Sequence, residues 1–265
     1  MELNGAFPGW WLHGTRQSHD NQNMSQLSRR EMLAATALSI SAARGSEQPA
    51  KKLKIVVTGG HPGDPEYGCG GTVARYSDLG HEVTLLYLNR GEKGCGSKSP
   101  NECGTLRTSE AGKACGILKA EPVFARQIDG EAVLNTDRYA EFRRLLDGEK
   151  PDVLFTHWPI DGHRDHRAIS ALAYDAWLQM GKSFAFYYYE VSDGEDTLMF
   201  APTDYVDISG TEPRKRAACY AHASQAPDHF YALQAEVSHF RGVESGFAQA
   251  EAFVRHTQSR GHLLP

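Results

Sequence analysis

Short apolar segments alternate with amphipathic segments from Lys51 onward, and this alternation predicts the fold. The apolar segments are nearly continuous and rich in β-branched residues, as in strands buried on both faces of a sheet. Alternating strands and helices predict an α/β sandwich of three layers with a mostly parallel central sheet, in one domain over 51–265. The predicted strands are 53–60, 82–89, 121–126, 152–157, 183–191 and 202–209, and the predicted helices are roughly 70–80, 105–116, 137–148, 165–180, 212–224 and 230–241.

Histidines and aspartates follow two of the predicted strands, at the edge where such Rossmann-like sheets bind ligands. His61 and Asp64 lie in the glycine-rich segment GGHPGDPEYGCGGT, after the first strand. More of both residue types lie in THWPIDGHRDHRA (156–168), after the fourth strand. An imidazole and a carboxylate three residues apart can converge on one ion, and a catalytic zinc site needs three protein ligands. The two loops together therefore predict a metal site.

The same glycines fit a dinucleotide-binding loop less well. That motif needs a glycine where this chain has Val73, and an acid after the second strand, where this chain has Asn89. The metal site is the favoured interpretation of the first loop.

The net charge argues against two classes of partner. The net charge of -5 and the pI of about 6.2 argue against nucleic acid and anionic membrane surfaces as partners.

Residues 27–45 combine paired arginines, a short apolar stretch and small residues, as in a twin-arginine export signal. We therefore expect a signal and linker at 24–50, after an upstream extension or disordered segment at 1–23, and a periplasmic or extracellular protein. The apolar stretch is too short to span a bilayer, and an amphipathic N-terminal helix is the alternative.

The five cysteines form no CxxC pair, which excludes a zinc ribbon or thioredoxin-like motif. Cys95 and Cys103 bracket a loop rich in Gly, Ser and Pro. These two residues are candidates for a disulfide after export.

The two His/Asp motifs resemble those of the PIG-L/LmbE-like metal-dependent N-deacetylases. Weaker similarity continues in NRGEKGCG, LRTSEAGKACGIL and KRAACYAHASQ, so that the resemblance spans roughly 53–255. It implies removal of an acetyl group from an N-acetylglucosamine-type amino sugar or glycan. It also implies zinc as the metal, although iron, manganese and cobalt accept the same ligands.

Individual roles follow from the resemblance, residue by residue. His163 corresponds to the histidine that stabilises charge on the tetrahedral intermediate, and Asp165 to the acid that orients it. Arg107 corresponds to an arginine that contacts substrate. His222 lies either near the pocket or at a helix-surface or packing position. The implied zinc ligands are His61, Asp64 and His166.

One departure from the family pattern concerns the general base. The aspartate that usually takes this role is replaced by Gly63, which cannot accept a proton. Asp161 is a candidate substitute base, and its alternative role is a turn or helix-capping acid. Glu66 is a weaker candidate, because capping the first helix is its more typical role. We therefore expect a zinc-dependent deacetylase with a relocated base; the alternative is a catalytically impaired, zinc-containing sugar-binding protein.

Overall fold

The computed structural model describes residues 51–191 and 197–265. The predicted export signal at 24–50 and the extension at 1–23 lie outside the described residues. Among the helices of these two ranges, none combines the length and the apolar character that a membrane span requires.

A seven-stranded sheet forms the centre of the described chain. Its strands are β1 (Lys54–Gly59), β2 (Glu82–Tyr87), β3 (Glu121–Phe124), β4 (Val153–His157), β5 (Ala185–Tyr189), β6 (Asp204–Asp207) and β7 (Ala250–Arg255). Their order across the sheet is β3-β2-β1-β4-β5-β7-β6. The first five strands pair in parallel, and β7 runs antiparallel to both β5 and β6. The expectation of a mostly parallel sheet is confirmed.

Within residues 51–191 and 197–265, six helices cover the two faces of the sheet. They are α1 (Asp64–Asp78), α2 (Pro100–Leu118), α3 (Thr136–Glu149), α4 (Arg164–Gln179), α5 (Glu212–Tyr220) and α6 (Pro227–Ser245), with a 3-10 turn at Ala223–Gln225. Alternate residues of β1 enter different cores: Ile55 and Val57 pack with α1 and α2, whereas Val56 packs with α3 and α4. The described chain therefore has the three layers that its pattern predicts.

Two elements show the largest differences from the sequence prediction. Helix α1 begins at Asp64, six residues before the predicted start, because the glycines of the first loop conceal its pattern. Strand β7 was not predicted, since its buried Glu251 breaks the apolar pattern. The Glu251 carboxylate lies 2.7 Å from Nζ of the fully buried Lys215, which compensates its charge.

The chain reverses its direction of winding between β1 and β4. Strands β2 and β3 lie on one side of β1, and β5 lies beyond β4. Ligands of open α/β sheets bind in the crevice at this switch point, outside the carboxyl ends of the strands. The two His/Asp loops leave β1 and β4 at this crevice.

A disulfide joins Cys95 to Cys103, as the sequence analysis expected. It ties the segment between β2 and α2 to the first turn of α2. The other cysteines in the described ranges, Cys69, Cys115 and Cys219, are free and buried.

Candidate functional site

The first loop is held in shape by bonds between its own residues. The His61 amide donates to Oδ2 of Asp64 at 2.8 Å, and the Asp64 amide donates to the His61 carbonyl at 3.2 Å. Gly63 lies between them at a φ of 112°, a conformation that other residues rarely adopt. Its amide donates to the Glu66 carboxylate at 3.2 Å, which caps α1. Asp64 is therefore fixed as the first residue of the helix.

Glycine at position 60 makes room for the second loop. A Cβ atom there would lie 2.8 Å from Cδ2 of His166 and 3.2 Å from Oδ2 of Asp64. Any side chain at this position would push His166 away from the first loop. The glycine therefore allows the two loops to converge.

Three side chains from these loops bring ligand atoms together. Oδ2 of Asp64 lies 3.3 Å from Nδ1 of His61 and 3.2 Å from Nε2 of His166. Ligand atoms around a tetrahedral zinc ion, at bonds of about 2.0–2.1 Å, are separated by about 3.3 Å. Each of these two distances fits a zinc-sized cation. Three groups of side chains among the described residues have ligand atoms within 4.8 Å of one another, and none of them is the predicted set: His61–His163–His166, Asp64–His157–His166 and His61–Asp129–Asp165.

The carboxylates of the site favour positive charge on the two histidines beside them, as they would favour a bound cation. Burial lowers the pKa of His166, but the carboxylates of Asp64 and Asp161 outweigh it and raise that pKa to about 9. The pKa of His61 is likewise raised well above its ordinary value, because Asp64, Asp129 and Asp165 outweigh its burial. The carboxylates thus hold positive charge at a point where a divalent cation could replace the protons.

His157, the last residue of β4, supports the site from below. It is fully buried, and its ring stacks on that of His166 with the centroids 4.0 Å apart. Its Nε2 lies 3.2 Å from Oδ2 of Asp64. Burial and the neighbouring His166 lower the pKa of His157 to about 4, so that this ring is neutral.

Asp161 contacts Nδ1 of His166, on the opposite side of the ring from Nε2, which faces Asp64. Its Oδ1 is 3.0 Å from Nδ1 of His166 and accepts the amide of His163 at 2.7 Å. Its Oδ2 accepts the hydroxyl of Thr197 at 3.1 Å. This geometry argues against the predicted role as general base, because both oxygens are engaged away from the open cavity. It is the arrangement expected of a carboxylate that orients a metal-binding histidine.

His163 and Asp165 meet differently from the expectation. Nδ1 of His163 accepts the backbone amide of Asp165 at 3.2 Å. The Asp165 carboxylate instead lies 3.2 Å from Nε2 of His61 and accepts the side-chain amide of Asn89 and the backbone amide of Gly130, at 2.9 and 2.7 Å. The carboxylate therefore orients His61, and only the backbone of Asp165 orients His163.

Asp129 is a site residue that the sequence analysis missed. Its Oδ1 lies 3.2 Å from Nε2 of His61, and its Oδ2 accepts the amide of Lys93 at 3.0 Å. Burial raises the pKa of Asp129, but His61 outweighs it and lowers that pKa to about 2. The available signal was its position after β3, at the same edge of the sheet as the two loops.

Arg107 reaches the site from α2. Its NH2 donates to the carbonyl of Pro62 at 2.7 Å, and its NH1 donates to that of Gly91 at 3.4 Å. The buried Nε has no hydrogen-bond partner among the described residues. This guanidinium therefore braces the first loop while lining the cavity.

His222 lies beneath Gly63. Its Nε2 is 2.9 Å from Oε1 of Glu66, which also accepts the hydroxyl of Tyr87 at 2.8 Å. A Cβ atom on Gly63 would lie 3.9 Å from Cδ2 of His222. The histidine thus borders the space that an acid at position 63 would occupy.

A cavity of about 420 Å³ opens above the ligand atoms. Its polar lining residues include Lys93, Arg107 and Asp129, and its apolar lining residues include Tyr67, Val191 and Phe230. Asp161 and Asp165 lie outside its lining. The predicted site residues that line it are His61, Asp64, Arg107, His163, His166 and His222.

Comparisons with known proteins agree with this architecture. The family model described as PIG-L, GlcNAc-PI de-N-acetylase, matches residues 56–177. Diacetylchitobiose deacetylase of Thermococcus kodakarensis is 26% identical over an alignment of 204 residues, and the match covers 68% of this chain and 73% of that protein.

Solved structures share the fold over most of the chain. A conserved protein from Thermus thermophilus has 29% identity and a TM-score of 0.68, over 80% of this chain and 98% of that one. The N,N'-diacetylchitobiose deacetylase from Pyrococcus horikoshii has 22% identity and a TM-score of 0.69, over 91% of this chain and 98% of that one. The residues matched by the family model include both His/Asp loops. Over that range the chain is similar to the PIG-L de-N-acetylases, and it shares the fold of these solved structures.

Proposed function

We propose that this protein is a metal-dependent hydrolase that removes the N-acetyl group from an N-acetylglucosamine-type amino sugar or glycan. The observation that carries the proposal is the convergence of His61, Asp64 and His166 at the floor of a cavity. A zinc ion held there would polarise a carbonyl and lower the pKa of water. The relatives named as deacetylases of diacetylchitobiose support the substrate class.

His163 is the residue we assign to the oxyanion. Because its Nδ1 accepts a backbone amide, the neutral ring carries its proton on Nε2. Burial, together with His61 and His166, lowers the pKa of His163, which favours this neutral form. A neutral imidazole can donate a hydrogen bond to a carbonyl oxygen as negative charge develops on it.

Water activation proceeds without a carboxylate at position 63. Asp161 is engaged with His166, and Asp129 is held by His61 and the Lys93 amide. A dedicated general base contributes on the order of 10²–10⁴-fold to such reactions. We therefore expect turnover lower by about that factor than in a site that keeps the base.

Arg107 and Asp129 are the groups we assign to sugar hydroxyls. The guanidinium supplies donors on the cavity wall, and the nearby carboxylate supplies acceptors. A sugar ring needs both kinds of partner, because each hydroxyl donates and accepts. The pair would hold the ring while its acetamide reaches the floor.

Release of primary amine from N-acetylated amino sugars tests the proposal. N-acetylglucosamine and its oligosaccharides are incubated with zinc-loaded protein and with chelator-stripped protein. We expect metal-dependent release, reduced at least about 100-fold in His163→Ala, as expected when an oxyanion donor is lost. His239→Ala is the matched control, because that histidine is exposed on α6. Equal release with and without metal would refute the proposal.

Gly63 favours a second candidate function, binding of an N-acetylated sugar without hydrolysis. The same cavity would hold the ligand, but the chain would lack the acid that usually activates water. Zinc-loaded protein that binds these sugars in calorimetry and releases no amine would favour this candidate over the hydrolase.

We also propose that the protein is exported by the twin-arginine route. The sequence pattern at 27–45 and the Cys95–Cys103 disulfide support this, since disulfides persist in oxidising compartments. Replacement of Arg29 and Arg30 by lysine should retain the full-length protein in the cytoplasm, as fractionation would reveal. Unchanged secretion would count against the route.

A further inference from the structure

Asp161 orients a proposed metal ligand, but one of its own oxygens depends on a residue that has no role in the chemistry described above. Oδ1 of this buried carboxylate contacts Nδ1 of His166 and the amide of His163. Its Oδ2 accepts the hydroxyl of Thr197 at 3.1 Å, which is its one donor among the residues that the structure describes. A carboxylate bonded through both oxygens cannot rotate without breaking one of these contacts. The Thr197 hydroxyl therefore fixes the plane of the carboxylate that faces His166.

Backbone hydrogen bonds hold Thr197 against Asp161. The two residues form an antiparallel bridge, and the amide of Leu198 donates to the carbonyl of Ile160 at 3.0 Å. The amide of Thr197 donates to the carbonyl of Val191, two residues after β5, at 3.2 Å. The position of the hydroxyl is thus set by the segments that follow β4 and β5.

The Thr197 hydroxyl uses both of its hydrogen-bonding capacities. It accepts the amide of Val191 at 3.0 Å, and its single proton is left for Asp161. Because the carboxylate can only accept, the direction of this second bond is fixed. Serine at position 197 would keep both bonds, whereas valine would keep the shape of the side chain without either.

We propose that Thr197 is a positioning residue of the metal site and acts through Asp161 on His166. A carboxylate that accepts the proton of a metal-binding imidazole orients the ring and raises its basicity, and loss of such a partner costs about 10–100-fold in metal affinity. Without the Thr197 bond, Oδ2 of Asp161 is buried and lacks a donor, so that the carboxylate turns and its contact with His166 weakens. This inference rests on the proposed function for the presence of a metal at His166.

Chelator competition measures zinc affinity without any need for turnover. We expect Thr197→Val to raise the Kd for zinc about tenfold, at the lower end of the range for a direct partner, because Thr197 is one contact further from the ligand. Thr197→Ser should stay within about twofold of the unaltered protein, since serine keeps the donor.

Thr84→Val is the matched control for loss of a threonine hydroxyl. The hydroxyl of the buried Thr84 also donates to a carboxylate, that of Glu149, at 2.8 Å. Thr84 lies in the first half of β2, whereas the site lies at the carboxyl ends of the strands. This variant should keep the zinc affinity of the unaltered protein.

A double-mutant cycle separates the proposed role from a general effect on the fold. In an Asp161→Ala background no carboxylate remains to be oriented, so that Thr197→Val should change zinc affinity less than about twofold. An equal tenfold loss in both backgrounds would overturn the proposal. So would unchanged affinity in Thr197→Val, or a loss in Thr197→Ser as large as that in Thr197→Val. The comparison of serine with valine decides by itself if Asp161→Ala does not fold.

Amine release is measured separately, at saturating zinc. Thr197→Val should then turn over within a few-fold of the unaltered protein, because its effect is on metal affinity. Zinc affinity that depends on Thr197, without amine release from any sugar, would retain this inference and refute the proposed hydrolysis. Unaltered protein that binds no zinc would overturn both.

Discussion

The position of Asp161 behind His166 changes the expected effect of its substitution. Because its Oδ1 lies 3.0 Å from Nδ1 of His166, Asp161→Asn should weaken zinc binding by about 10–100-fold. Turnover at saturating zinc should then change only a few-fold. Zinc affinity from chelator competition and amine release at saturating zinc measure the two effects.

Asp147→Asn is the control for this substitution, because that aspartate is exposed on α3. It should alter neither quantity. Unchanged zinc affinity in Asp161→Asn, with turnover lower by about 10²–10⁴-fold, would instead make Asp161 the base.

The backbone conformation at position 63 favours glycine, independently of the loss of the general-base aspartate there. Its φ of 112° is strained for any residue with a Cβ. The strain is in the backbone alone, because apart from the two neighbouring residues no atom would lie closer than 3.8 Å to such a Cβ. Gly63→Ala should therefore lower the free energy of unfolding by about 1–2 kcal/mol, as measured by urea denaturation.

Gly112→Ala is the matched control for backbone strain. Gly112 lies inside α2, and a Cβ there would meet nothing within 4 Å. Alanine in a helix interior is favoured over glycine by about 0.5–1 kcal/mol, so this variant should be more stable. A Gly63→Ala variant as stable as Gly112→Ala would show that position 63 tolerates a side chain.

At the scale of elements, the disulfide holds the connection between β2 and α2 against the cavity. This segment contributes Lys93 and Gly94 to the lining, and Cys95 follows directly. Replacing both Cys95 and Cys103 by serine should cost about 2–3 kcal/mol of stability, as loop-closure entropy gives for so short a loop. Thermal unfolding with and without reductant measures this.

Intact-mass analysis after alkylation checks the pairing itself. Denatured, unreduced protein should take up three alkyl groups, on Cys69, Cys115 and Cys219, and five after reduction. Alkylation of five thiols without reductant would contradict the disulfide.

At the scale of the whole molecule, metal binding should be coupled to pH. Before a metal binds, His166 has a pKa of about 9 and is protonated at pH 7, and the carboxylates around His61 raise the pKa of that histidine as well. A metal must displace these protons. Zinc affinity should thus rise from pH 7 to pH 9, by about tenfold per pH unit for each proton displaced. Chelator competition at pH 7, 8 and 9 measures this slope, and a flat profile would contradict the protonated site.

Metal binding should also stabilise the fold as a whole. The proposed ligands come from the loop after β1, the start of α1 and the first turn of α4, so that one ion would join separate elements. Zinc at about 1,000 times its Kd should add about 4 kcal/mol to the free energy of unfolding. The shift in Tm on adding a chelator reports it. His239→Ala should keep the shift, and His166→Ala should lose it.

Local pattern determines much of the fold of this chain. Helices α3 and α4 agree with their predicted bounds to within one residue at each end, because their apolar positions recur at helical spacing. The local pattern predicted neither the start of helix α1 nor strand β7. In these two, glycines at close contacts and a buried ion pair replace the usual apolar pattern, and both depend on partners distant in the chain.

The location of the site also follows from the sequence, because parallel strands bring their carboxyl ends to one edge and both His/Asp loops follow such ends. Only the tertiary structure decided which histidine each of the aspartates contacts. Asp161 contacts His166, Asp165 and Asp129 contact His61, and none of these directions is encoded in spacing along the chain. The direction of a side chain is decided by the packing of α4 and the neighbouring loops against β1, where residues far apart in the chain meet.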